Sequence, residues 1–86
     1  MAIRAYVLIR CERGTADEVV EKIRDKEHVK RADTIFGEYD AIAYLVIEEL
    51  PSMFSVRALQ AIVLEEIQRT RGVLNTNTHI VTSPEG

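Results

Sequence analysis

Residues 37–40, with the sequence Gly-Glu-Tyr-Asp, combine an unhindered backbone with a carboxylate and a phenol. Gly37 can adopt dihedral angles that expose backbone N–H groups as an anion-binding nest. Asp40 can accept a charge-assisted hydrogen bond from an ammonium group. We expect this segment either to hold a small charged ligand or to be only a turn in which Asp40 bonds nearby backbone. Tyr39 is equally suited to lining a pocket and to covering the turn, and Glu38 is expected to face solvent.

Thr76 and Thr78 add two hydroxyl groups to one face of a strand-like run near the C-terminal end, together with Leu74 and Ile80. A neighbouring subunit could supply these hydroxyls to a ligand near residues 37–40. The alternative is that both are simply threonines of an edge strand, where this residue type is common.

The remaining reactive side chains predict no catalytic residue, no metal site and no cofactor. Two histidines, His28 and His79, are too few for a metal cage and lie far apart in the sequence. We expect both to be surface or hydrogen-bonded histidines. Cys11 is the only cysteine, so an intrachain disulfide is excluded, and at the end of a strand it is expected to be a small buried hydrophobe.

Length and composition predict one domain over residues 1–86. An apolar content of 47 % argues against disorder, and the net charge of −3 with scattered Lys and Arg argues against direct nucleic-acid binding. The charged, alternating start is not a signal peptide, and no run approaches the ~20 apolar residues of a membrane helix. We expect a cytoplasmic protein without a membrane partner.

Periodicity predicts four strands and two helices in the order βαββαβ. Strict alternation marks the first strand, and Thr15 and Glu18 form a capping-box pattern for a first helix that fades near residue 26. The second helix shows apolar residues at a helical period and is expected to end at Gly72. The predicted strands are 3–11, 29–36, 40–47 and 73–81. The predicted core-facing residues are Val19, Val20 and Ile23 on the first helix and Val56, Leu59, Val63 and Ile67 on the second. Residues 48–55 are predicted to form a loop, with Ser52 or Ser55 as the N-cap of the second helix.

This order predicts an α+β fold, a ferredoxin-like βαββαβ sandwich with two helices on one face of a four-stranded antiparallel sheet. Right-handed crossovers give the sheet order 4-1-3-2, and the two strands placed in the middle are the apolar ones. The sheet face opposite the helices is also apolar, since it carries Tyr6, Leu8, Ile42, Tyr44 and Val46. An exposed apolar face of this kind favours self-association.

With these elements in order, the sequence resembles the effector domain of the Lrp/AsnC transcription regulators. The resemblance runs from about residue 5 to residue 83. It rests on Gly37-Glu38-Tyr39-Asp40 between two strands, on Gly72-Val73 after a helix, on Thr76-Asn77-Thr78, and on the closing Ile80-Val81. The order and spacing of these pieces carry it, since no single motif is specific.

The resemblance implies a homo-oligomer: a dimer through the sheet faces and a ring of dimers, binding free amino acids between dimers near the Gly-x-x-Asp turn. The implied effector-binding residues are Gly37, Tyr39, Asp40, Thr76 and Thr78. The 86 residues hold no helix-turn-helix, so the chain resembles the stand-alone effector module, with a DNA-binding relative as partner. The loop of residues 48–55 is longer and more hydrophobic than the family pattern.

Two other functions stay open on the sequence. The first is a purely structural oligomerisation domain that uses the same sheet face without a ligand. The second is a small dimeric α+β barrel enzyme, which would need a base and an acid inside the sheet; the apolar strands supply neither.

Overall fold

The computed structural model describes residues 2–48 and 56–84. The predicted loop lies largely outside them, including both N-cap candidates, Ser52 and Ser55. The elements are β1 (Ile3–Cys11), α1 (Ala16–Ile23), β2 (Val29–Thr34), β3 (Ala41–Ile47), α2 (Val56–Val63), a π-helical turn (Leu64–Gln68) that continues α2, and β4 (Val73–Ile80).

The sheet has the order β2-β3-β1-β4, and each neighbouring pair is antiparallel. This confirms the predicted ferredoxin-like architecture and the order 4-1-3-2. β1 lies between β3 and β4, so the most regular strand of the sequence holds the other two in register. A bulge between Arg10 and Cys11 shifts the β1–β4 pairing at one end of the sheet.

One core joins the helices to the inner face of the sheet. Alternate residues of β1 and β3 are enclosed, and α1 contributes Val19, Val20 and Ile23 as predicted. From the second helical segment Leu59, Val63 and Ile67 enter the core, whereas Val56 is 56 % exposed and does not belong to the buried stripe. The strands contribute Ala5, Val7, Ile9, Cys11, Val29, Ala32, Ala41, Ala43, Leu45 and Ile47.

The predicted capping box at the start of α1 is wrong. Thr15 is the N-cap, but its φ and ψ of −109° and −2° are not the extended values that aim a side-chain oxygen at the helix N–H groups. Its hydroxyl instead donates to the carbonyl of Glu12 at 2.7 Å. Thr15 therefore fastens the turn between β1 and α1, and the helix begins without a side-chain cap.

The second helix ends earlier than predicted, at Gln68, because its last turn widens. The Arg69 N–H donates to the carbonyl of Leu64, five residues back, at 3.1 Å. Gly72 follows after a short turn and serves a different purpose from a helix cap. Its φ is +102°, and its carbonyl accepts the N–H of Glu12 at 2.7 Å, which ties the start of β4 to the end of β1.

The opposite face of the sheet, here called the outer face, consists of Tyr6, Leu8, Ile42, Tyr44 and Val46. Tyr6 is 45 % exposed, and the other four side chains are half-buried by their neighbours within the sheet. The rings of Tyr6 and Tyr44, which are paired across β1 and β3, have centroids 5.0 Å apart. The face is therefore a continuous apolar surface that no helix of the described chain covers.

Close packing around Gly72 predicts that a single added methyl group lowers the stability of the protein substantially. In Gly72→Ala the new Cβ would lie 2.9 Å from Val19 Cγ2 and 3.0 Å from Thr15 Oγ1, at a φ that side chains rarely adopt. We expect the free energy of unfolding to fall by about 2–4 kcal/mol in urea denaturation at fixed protein concentration. Gly14→Ala is the matched control: its φ is +78° but nothing lies within 4 Å. It should lose only about 1–2 kcal/mol, and equal losses would contradict the packing argument.

Candidate ligand site

The segment of residues 37–40 closes the connection between β2 and β3. The Ile35 N–H donates to the Asp40 carbonyl at 3.0 Å, and Gly37 has a φ of +151°, in the region that favours glycine. Nothing lies within 4 Å of the position of a Cβ on Gly37. The backbone at Gly37 is therefore open to an approaching molecule, and the neighbouring Phe36 side chain is fully exposed.

Asp40 continues the pairing of β3 with β1 by means of its side chain. Its N–H donates to the carbonyl of Ile9 at 2.9 Å, as in a regular ladder. The next donor on β1, the N–H of Cys11, donates to Oδ2 of Asp40 at 2.8 Å. Asp40 thus bonds a neighbouring strand rather than its own turn. Within the described chain Oδ1 receives no hydrogen bond and remains available.

Tyr39 lies across the end of β1. Its hydroxyl accepts a hydrogen bond from Asn77 Nδ2 of β4 at 3.1 Å, and the Arg10 guanidinium carbon lies 4.9 Å from the ring centroid. Arg10 alternates with the buried Ile9 and Cys11, so it belongs to the side of the sheet that faces away from the helices. Contacts with two strands, β1 and β4, therefore fix the position of this ring.

Thr76 and Thr78 lie on the other side of the sheet. They pair with Ile9 and Val7, whose side chains enter the core. Thr76 Oγ1 accepts a hydrogen bond from Gln68 Nε2 at 2.7 Å. Both threonines line a cavity of about 590 Å³ between β4 and α2. One chain therefore brings Tyr39 and Asp40 together near Gly37, but it does not bring the two threonines to them.

Sequence reasoning missed Arg10 and Asn77, the two residues that hold Tyr39. Alternation in β1 and β4 predicts which face each occupies, and the register of the β1–β4 pair then places them near each other. Neither strand, however, carries a signal for a tyrosine that arrives from the turn between β2 and β3. The contacts of Tyr39 with Arg10 and Asn77 follow only from the path that residues 37–40 take in the structure.

His28 is held by Glu66 of the π-helical turn. The Glu66 carboxylate accepts the His28 N–H through Oε1 at 2.9 Å, and its Oε2 contacts Nδ1 of the imidazole. Glu27 lies near enough that the three side chains resemble a metal-ligand set. Both Glu66 oxygens are already engaged by His28, so the contact is an anchor between the α1–β2 turn and the helix. His79 is exposed on β4.

The thiol of Cys11 is enclosed at the end of the sheet, next to Asp40. Burial first, and the negative charge of Asp40 second, raise the pKa of the Cys11 thiol above its ordinary value of 9.0. The thiolate is the nucleophilic form, so the fold suppresses the reactivity of this cysteine.

The family model for the Lrp/AsnC ligand-binding domain matches residues 4–84. The chain belongs to this family. The match includes every residue of the candidate site on both faces of the sheet. No curated protein matches the chain.

Solved structures fall into two groups by length. Protein TTHA0845 from Thermus thermophilus is 25 % identical with a TM-score of 0.77, and the match covers 98 % of each chain. AsnC from E. coli is 19 % identical with a TM-score of 0.78 over 95 % of this chain and 52 % of its own. The regulator NMB0573 from Neisseria meningitidis, solved as an L-Met complex, is 17 % identical with a TM-score of 0.73 over 94 % of this chain and 50 % of its own. The region matched by this chain thus spans nearly all of TTHA0845 and about half of the other two.

None of the helices in residues 2–48 and 56–84 is long and apolar enough to cross a bilayer.

The raised thiol pKa predicts how alkali affects stability. Because the pKa of Cys11 is higher in the folded protein than its ordinary 9.0, the thiol's contribution is fully present below about pH 9. It is lost as the pH rises through the folded-state pKa. Above about pH 9, urea denaturation should show the free energy of unfolding falling faster for wild type than for Cys11→Ala, by at most about 1.4 kcal/mol per pH unit. Parallel pH profiles would show that folding leaves the thiol unperturbed.

Proposed function

We propose that this Lrp/AsnC-type domain binds a free amino acid at residues 37–40 and acts without catalysis, as an effector-binding and assembly module in transcription regulation. The main support for the proposal is the way in which the Asp40 carboxylate is held. One of its oxygens is fixed by the Cys11 N–H at 2.8 Å, and the other is uncommitted within the described chain. A carboxylate held in this way presents a fixed acceptor to an ammonium group.

The surrounding residues suit the rest of such a ligand. Gly37 leaves its backbone open, and two residues further on the ring of Tyr39 is held by Asn77 and Arg10 as an aromatic surface. An α-amino acid presents an ammonium, a carboxylate and a side chain at one carbon, and these groups match an acceptor, a set of donors and an apolar wall. The L-Met complex of the N. meningitidis regulator, a protein of the same fold, supports an amino acid as the ligand class.

Assembly through the outer face is the second part of the proposal. A domain of this size has a thin margin of stability, and covering an apolar sheet face would add to it. Ile35 and Phe36 are also exposed at the β2–β3 connection, Phe36 completely. They supply a second apolar surface beside the ligand site, which suits a ring of dimers. We assign the dimer contact to Tyr6, Leu8, Ile42, Tyr44 and Val46.

The action on transcription would come through partners. We propose that the domain joins DNA-binding Lrp/AsnC-type relatives through these assembly surfaces and that the bound amino acid changes the assembly. The chain's net charge of −3 gives it no electrostatic attraction to the phosphate backbone.

A purely structural oligomerisation domain is the second candidate, and the outer face favours it equally. The two functions differ in their response to ligand. A thermal-shift screen of the common amino acids separates them, since a ligand at 100 times its Kd adds about 2.7 kcal/mol of stability. A protein that oligomerises but responds to no amino acid would belong to the structural class.

Light scattering coupled to size exclusion tests the dimer. Wild type should have at least twice the 9.8 kDa mass of one chain at micromolar concentration. In Tyr44→Glu a buried charge would oppose contact between two outer faces, so the variant should be a monomer. Gln60→Glu places the same charge on the exposed surface of α2 and should leave the mass of the assembly unchanged. A wild-type monomer would refute the assembly proposal.

Asp40→Asn tests the ligand contact. The amide oxygen can still accept the Cys11 N–H, so the fold and the dimer should persist. Loss of one charge-assisted contact should weaken amino-acid binding by roughly 1.5–3 kcal/mol, about ten- to hundredfold in Kd by calorimetry. The thermal shift caused by ligand should decrease accordingly. Unchanged affinity in a folded Asp40→Asn dimer would exclude this carboxylate from the site.

A further inference from the structure

Within one chain, the two hydroxyl donors that the sequence predicts for a ligand lie apart from Tyr39 and Asp40. Thr76 and Thr78 are the expected hydroxyl donors, but within one chain they lie on the helix side of the sheet and line the cavity beside α2. Tyr39 lies on the opposite side, against Arg10 and Asn77. The backbone N–H groups near Gly37 carry no full charge, so a cation on the side of Tyr39 would add the charge that a ligand carboxylate held near Tyr39 and Asp40 needs.

Arg10 is a cation without a charged partner at this position. None of the ion pairs formed within residues 2–48 and 56–84 includes it. Its guanidinium is held 4.9 Å from the centre of the Tyr39 ring, and that ring is fixed in turn by Asn77. Stacking on an aromatic face orders the guanidinium and leaves its N–H donors directed outward.

Arg10 and Asp40 are also brought to one end of the sheet. The Asp40 carboxylate is bonded to the N–H of Cys11, the residue that follows Arg10, yet Arg10 and Asp40 do not pair with each other. A cation and a carboxylate that lie at the same end of the sheet and do not pair with each other match the two charged groups of a zwitterion. A guanidinium binds a carboxylate through two parallel N–H···O bonds, which also fix its orientation.

We infer that Arg10 is the carboxylate-binding residue of the effector site, with Tyr39 as its support and Asp40 as the ammonium acceptor. This inference rests on the proposed function. It narrows the ligand class to molecules that carry both a free α-carboxylate and an α-ammonium, and it disfavours amines, amides and peptides with a blocked carboxyl end.

Calorimetry with amino acids and their α-amides tests the assignment. The probes are the common L-amino acids and, for each that binds wild type, the corresponding α-amide. The measurement is made near pH 6.5, where the amine of the amide is still protonated because the pKa of such an α-amine is about 7.7–8.0. Wild type should bind the acid about ten- to hundredfold more tightly than the amide. Arg10→Gln should lose that preference, binding the acid as weakly as wild type binds the amide.

Two variants and one assembly measurement complete the test. Arg10→Lys keeps the positive charge but lacks the planar guanidinium with its paired N–H donors, so it should retain part of the preference for the acid over the amide. Arg13→Gln removes an exposed arginine three residues further on and should behave as wild type. Light scattering on each variant shows whether the assembly persists.

The outcomes separate this inference from the proposed function. If wild type binds no amino acid, the proposed function fails and the inference fails with it. If wild type binds acid and amide equally, or if Arg10→Gln weakens both to the same extent, amino-acid binding stands and the role of Arg10 is overturned. Dissociation of the Arg10→Gln assembly with equal loss of both ligands would make Arg10 an interface residue instead.

Discussion

The geometry of the candidate site depends on how the pairing between β1 and β3 ends. Backbone hydrogen bonds run along the two strands until Ile9, and there the Asp40 side chain takes over as acceptor for Cys11. Since buried backbone donors need partners, the carboxylate satisfies a requirement of the sheet and is immobilised by it. The same bond sets Asp40 beside the Cys11 thiol and close to the backbone of Arg10. The hydrogen bond that completes the pairing of β1 with β3 thus fixes the position of a negative charge at the end of the sheet.

Most of the fold follows from the sequence because it depends on periodicity. Alternation in β1 and β3 predicts their buried faces, and the βαββαβ order with right-handed crossovers predicts the sheet order. The errors occur at positions where specific hydrogen bonds, and not hydrophobic periodicity, decide the local structure. Thr15 fits a capping box by type, but its backbone angles direct the hydroxyl to Glu12. Gly72 fits a helix end, but its positive φ and the hydrogen bond from the Glu12 N–H to its carbonyl serve the junction of β1 and β4.

The site is predictable only in part, for a related reason. Gly37, Tyr39 and Asp40 are nearly contiguous, so any compact turn keeps them together. Thr76 and Thr78 are distant in sequence, and their side of the sheet depends on the register of β4 against β1. A shift of one residue would exchange them with the neighbouring asparagines of β4. The structure places an asparagine of that strand, and not a threonine, against Tyr39, which no residue pattern in the turn or in β4 indicates.

Separation of the two threonines from Asp40 also bears on how a ligand could act. In a single chain the Asp40 carboxylate is bonded at the end of β1, whereas the two hydroxyls line the cavity beside α2. A second chain whose β4 lay against the exposed surface around Ile35 and Phe36 would bring its two hydroxyls towards this carboxylate. A ligand that touched groups from both chains would then bind the assembled state more tightly than the separate chains. By thermodynamic linkage it would strengthen assembly by the same factor, and the state of assembly would thereby respond to an amino acid.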